Sequence, residues 1–136
     1  MSGIQAKTHL KINASLCGKI VELHEQGSNI ELALTQDMAV DDKGLIHGGF
    51  IFGLADYAAM VAVNDPNVVL GSADVKFTKP AKVGDVLRAE AQISKTEHNK
   101  YTVEVQVWGK GAEEIFYGEF VCIVPKDHVL NSVNNQ

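Results

Sequence analysis

Cysteine, proline and tryptophan are scarce in this chain: two, three and one respectively among 136 residues. Cys17 and Cys122 lie far apart and show no ligand-type spacing, so a zinc ribbon and a disulfide scaffold are both excluded and no metal is expected. The chain also lacks a run of about 20 apolar residues that could span a bilayer. Its longest apolar stretch, His47 to Asn64, is broken by Gly48, Gly49, Gly53 and a single carboxylate, Asp56. A net charge of −5 leaves no basic field for general nucleic-acid binding. There is no G-x-S-x-G elbow, phosphate loop, H-E-x-x-H or dinucleotide fingerprint. Met1 to Lys11 has no apolar signal-type core, so a reduced, cytoplasmic setting is expected, with both thiols free and in or near the core.

What is present suits one domain, 1–136, with a body over about 17–124. The segments Met1–Lys11 and Val129–Gln136 read as loose ends. Lys19–His24 and Asn29–Thr35 read as a hairpin around the turn Gln26–Asn29. From Gly49 to Asn64 the alanines 55, 58, 59 and 62 favour helix, ended by Asp65-Pro66. That helix is apolar nearly all round, the mark of burial on most sides. After Pro66 the period becomes two. Ala73–Phe77, Leu87–Ser94 and Tyr101–Val107 alternate, and Ile115–Val124 is almost continuously apolar, which predicts four consecutive strands in a meander. The expected class is α+β, a long antiparallel sheet curved around one buried helix. One sheet leaves part of such a helix uncovered, so a homodimer is expected to cover it.

Asp56 is the first candidate for chemistry. No Lys or Arg occurs from Leu45 to Val75 to pair with it. Either it reaches a solvated patch or caps a backbone group, or it is a base or nucleophile tuned by burial. His47-Gly48-Gly49 stands where the helix begins. The glycines allow a tight turn with His47 as a cap, or they open the first helix amides to a developing oxyanion. Eight residues separate Gly48 from Asp56, about 12 Å along a helix. One helix therefore cannot bring both to one carbonyl, whereas two offset helices in a dimer can. Lys76, Lys79, Lys82 and Arg88 fall within thirteen positions. They make a phosphate patch or a solvated strand face. Ser72 and Tyr57 could position water or substrate, or satisfy local hydrogen bonds. His9, His24, His98 and His128 sit in polar contexts and read as surface groups.

Gly44-Leu45-Ile46-His47-Gly48-Gly49, Leu54-Ala55-Asp56-Tyr57-Ala58-Ala59 and Phe77-Thr78-Lys79-Pro80-Ala81-Lys82-Val83-Gly84-Asp85 together resemble the hotdog-fold acyl-CoA thioesterases, in their PaaI-like (phenylacetic acid degradation) branch. The resemblance implies a hotdog fold whose dimers join sheets and often pair into tetramers. It implies hydrolysis of an acyl-CoA thioester, with coenzyme A as part of the substrate and no separate cofactor. Asp56 would activate water or attack the carbonyl, Gly48 of the other subunit would polarise it, and His47 would orient it. Gly49, Tyr57 and Ser72 would line the substrate site, and the basic residues would meet the nucleotide phosphates. Many members of that branch carry asparagine six residues before the histidine, where this chain has Asp41. Two rivals remain. A hotdog hydratase or dehydratase is suggested by the Asp42-x-x-x-x-His47 spacing, but gives Asp56 no role. A non-catalytic acyl-CoA-binding module would not need Asp56 either.

Overall fold

The computed structural model describes residues 3–134; Met1, Ser2, Asn135 and Gln136, all within the expected loose ends, lie outside it. A short helix α1 (Ala14–Cys17) leads into β1 (Lys19–His24) and β2 (Gly27–Ala33). The long helix α2 (Gly48–Val63) follows, then β3 (Val69–Phe77), β4 (Val86–Glu97), β5 (Lys100–Trp108) and β6 (Glu114–Ile123), and last α3 (Val129–Asn134). The six strands form one antiparallel sheet in the order β1-β2-β4-β5-β6-β3.

The alternation read from the sequence sets which face meets the helix. Ile30 and Leu32 of β2, Leu87, Ala89 and Ala91 of β4, Val103, Val105 and Val107 of β5, and Phe116 and Phe120 of β6 are all buried. Glu90, Gln92, Glu104, Gln106 and Glu119, their alternates, are exposed. Ala55, Ala58, Ala59 and Ala62 are fully buried in α2. Small side chains on the helix, and Ala89 and Ala91 on the sheet, let the two backbones approach closely. Ser28 on β2 fixes that approach: it is 1% exposed, and its hydroxyl donates to the Ala58 carbonyl at 2.7 Å.

Three expectations are corrected. The four-strand meander holds only for β4, β5 and β6; β3 pairs with β6, not with β4. Sequence neighbours pair only about two-thirds of the time. Here α2 carries the chain to the far edge of the sheet before β3 begins. Gly118 of β6 accommodates β3, because a Cβ there would lie 2.5 Å from Val75 Cγ1 and 2.7 Å from the Asp74 carbonyl oxygen. The first hairpin turns at Glu25-Gln26, since His24 pairs with Gly27. Gly27 is a strand residue whose missing Cβ makes room for the Ala91 carbonyl oxygen, which a Cβ there would meet at 2.7 Å.

Nor is the N-terminal segment loose. Thr8 is buried, and Ile4, Ala6 and Ile12 pack against the core. Asn64, in left-handed conformation, caps α2, and its side chain accepts from the Lys7 amide and donates to the Gln5 carbonyl. Val129–Asn134 is helical.

Gly118→Ala is expected to destabilise the fold by about 1–3 kcal/mol, because the obstruction includes backbone that cannot step aside. Urea unfolding of the variant checks this; an unchanged midpoint would mean that β3 gives way freely.

Candidate active site

α2 begins without a side-chain cap. His47 is the flanking residue, in extended conformation, and its imidazole caps no amide. It is exposed, and lies over Gly49 closely enough that a Cβ there would meet His47 Nε2 at 2.9 Å. The backbone before the helix is tied down: the His47 amide donates to Met38 O and the Ile46 amide to Ala81 O. The amides of Gly48 and Gly49 find no acceptor among the described residues. They are the free donors of a helix N-terminus. Asp41 shapes the approach: its Oδ1 accepts from the Lys43 and Leu45 amides, at 2.9 and 3.1 Å. An asparagine oxygen could do the same, so the acid here serves as a turn-forming acceptor.

Asp56 lies two turns further on, partly buried among core neighbours. Its Oδ1 is buried and has no hydrogen-bond partner among the described residues. Burial raises its pKa from 3.8 to about 6. The residue lines a cleft of about 350 Å³ whose walls include Thr8, His9, Met60, Leu70 and His128. Burial first, and the charge of Asp56 second, raise the pKa of Cys17 and push that of Cys122 up to about 12. Both thiols are therefore free but poorly ionised. This is the environment of a group kept near neutrality for proton transfer at ordinary pH.

Among the other candidates, Tyr57 is 7% exposed and packs in the core beside His9. Ser72 sits exposed on β3, the edge strand. The four basic residues do not form one patch. Lys76 faces the groove on the outer side of the sheet with Asp74 and Glu119. Arg88 lies 3.9 Å from Glu31, and Lys79 pairs with Glu113 at 3.1 Å. Lys82 instead lines a cleft of about 590 Å³ with Lys43 and Lys110, and three carboxylates, Asp41, Asp85 and Glu113, line it too. The bridge between Leu45 and Lys82 joins that cleft to the loop leading to His47.

Sequence reasoning missed Lys43 and Lys110, which lie far from Lys82 in the chain. It also missed Thr8, because its segment read as loose, and it read His9 as a surface group from its polar context, whereas His9 is half-buried. The signal that could have found them was the alternation of Ile4, Ala6 and Thr8 with polar residues. Among the described residues no cluster of His, Cys, Asp or Glu could hold a metal, and no helix is long and apolar enough to cross a membrane.

Comparisons with known proteins agree with this architecture. The chain is 49% identical over 117 residues to the methylthioribose-1-phosphate isomerase of Aquifex aeolicus, covering 86% of this chain and 25% of that protein. It is 30% identical over 121 residues to the transcription factor FapR of Caldanaerobacter subterraneus, covering 88% and 60%. The chain thus spans less than two-thirds of either curated relative. A crystal structure of an uncharacterized protein from Pyrococcus horikoshii superposes with a TM-score of 0.93 at 48% identity, covering 96% of this chain and 99% of that one. Solved neighbours include the PaaI protein of E. coli, which shares the fold at a TM-score of 0.78 and 20% identity over 87% of this chain and 88% of its own. The fold is the hotdog thioesterase fold. The family model for the Thioesterase superfamily matches residues 43–116, from the loop before His47 into β6, and the chain belongs to that superfamily.

Proposed function

We propose that the protein is an acyl-CoA thioesterase that works as a homodimer, with each active site shared between subunits. The observation that carries this reading is Asp56, which lines a cleft from the central helix of a thioesterase-superfamily fold and whose Oδ1 is buried and unpartnered. A carboxylate with a pKa of about 6 is mostly ionised at pH 7 and basic enough to accept a proton from water. The water oxygen attacks the thioester carbonyl carbon as its proton passes to Asp56. The tetrahedral intermediate then expels coenzyme A by breaking the C–S bond, and the proton from Asp56 neutralises the thiolate. Free acid and coenzyme A are the products, and no metal or further cofactor is needed to balance the step.

The Gly48 amide of the partner subunit would hold the oxyanion, with Gly49 and His47 shaping the approach. The open edge at β3, with Phe77 52% exposed, is where a second sheet could add and bring that helix alongside. Pairing of such dimers into tetramers, and a cytoplasmic setting, belong to the same reading. For the nucleotide phosphates the cleft of Lys43, Lys82 and Lys110 is the better-placed site, because its loop runs directly into the helix N-terminus and its carboxylates are engaged locally, Asp41 and Asp85 by backbone amides and Glu113 by Lys79.

Purified protein incubated with a panel of acyl-CoA esters and a thiol reagent should release thiol from at least one of them. Lys82→Ala and Lys110→Ala should each raise KM about threefold with kcat nearly unchanged, and added salt should shrink the difference. A second reading, a module that binds acyl-CoA without cleaving it, is favoured by the likeness to a transcription factor. Tight binding of an ester with no thiol release from any would select it.

A further inference from the structure

The N-terminal segment lines the Asp56 cleft with a polar pair that the hydrolysis above leaves unused. Thr8 is 5% exposed, a buried hydroxyl residue in a segment whose other side chains are half-buried or exposed. Its Oγ1 lies 2.8 Å from His9 Nδ1. His9 occupies the left-handed region, φ +55, which is uncommon for a side chain of this size. The anchoring of Lys7 and Gln5 to Asn64 at the end of α2 holds the segment there. The His9 ring centroid lies 6.3 Å from that of Tyr57, the residue next to Asp56. With Nδ1 engaged by Thr8, Nε2 is the ring nitrogen left for a ligand, and it has no partner among the described residues. An imidazole held by a buried hydroxyl, on a constrained backbone, in the wall of the cleft that Asp56 borders, is built to contact whatever occupies that cleft.

We propose that His9 is a further catalytic residue: its Nε2 hydrogen-bonds the water or thioester carbonyl placed against Asp56. This rests on the thioesterase reading and adds to it a group outside the segment that the superfamily match covers. Burial lowers the His9 pKa below 6.5, which favours the neutral ring that this role requires. The titratable groups that share the cleft with it are Asp56 on α2 and His128; Tyr57 touches its ring, and Cys17 of α1 and Cys122 of β6 lie near enough to Asp56 to feel its charge.

His9→Gly is the test, because glycine accepts the left-handed backbone without strain and leaves a space shaped for imidazole. The expected result is a kcat lowered by about 10–100-fold, KM within threefold, an unchanged melting temperature, and recovery of turnover on adding imidazole. Thr8→Val should lower kcat in the same direction by less. Wild-type kcat in His9→Gly overturns the inference and leaves the thioesterase reading standing. Loss without imidazole rescue, accompanied by a lower melting temperature, overturns it in favour of a structural role. If the wild type hydrolyses no ester, the reading itself fails. The cleft is then probed by following the His9 ring resonances with pH in wild type and Asp56→Asn. A lower His9 midpoint in the variant supports a shared site, and an unchanged midpoint overturns it.

Discussion

Asparagine at position 56 is expected to silence hydrolysis and, at neutral pH, to leave the protein more stable than the wild type. Removing a positioned general base lowers turnover by about 10²–10⁴-fold. The stability effect follows from the same burial. The folded protein holds the Asp56 proton up to about pH 6, whereas the unfolded chain releases it near 3.8. Between those values the folded state binds more protons than the unfolded one, so stability falls as pH rises through the window and stays low above it. The gap from 3.8 to about 6 corresponds to a loss of about 3 kcal/mol, the upper end of what asparagine could recover. Asparagine carries no charge at any pH and escapes this loss, although its amide brings a hydrogen-bonding demand of its own. Thermal unfolding of both proteins at pH 4 and pH 7.5 checks the sign: the variant's advantage should appear at pH 7.5 and shrink at pH 4. In the wild type, kcat/KM should climb with pH through an acid limb near 6. A variant less stable at both pH values would identify Asp56 as a structural residue.

The same burial without a partner is why Asp56 was legible in the sequence. A carboxylate in an apolar helix with no nearby cation violates the rule that buried charge is paired, and such violations concentrate at functional sites. The buried helix and the facing of the later strands were equally legible, because both follow from periodicity. What could not be read were features set by contacts distant in sequence. The place of β3 beside β6 depends on where α2 delivers the chain and on the space over Gly118. The lysine cleft joins Lys43, Lys82 and Lys110 from three separate loops. Gly27 looked like a turn residue, although its lack of a side chain answers to a neighbouring strand. The N-terminal segment looked loose because polar residues alternate through it, yet that alternation is how Ile4, Ala6 and Thr8 reach the core and bring His9 to the cleft.

Mixing two inactive proteins is expected to restore activity if the site is shared between subunits. Asp56→Asn removes the base. Gly48→Pro removes the helix N-terminal amide and little else, since proline is tolerated at the first helical position, where the N–H has no partner inside the helix. The residue before it must be extended, and His47 already is, at φ −62 and ψ 129. The added ring would approach Phe77 Cε2, 3.3 Å from an ideal Cβ at position 48, but Phe77 is half exposed on an edge strand and can shift. Each variant alone should be nearly inert. After random subunit exchange half the dimers are mixed, and each mixed dimer has one site with both an intact Asp56 and an intact Gly48 amide. Activity should therefore recover to about a quarter of the wild-type level per subunit. The spacing on α2 makes this outcome specific. About 12 Å of helix separates the two groups within one chain, so a site completed by one subunit would need a second oxyanion donor elsewhere. Activity that stays at the level of the separate variants, with exchange verified by native mass spectrometry, would place the oxyanion donor on the same chain as Asp56.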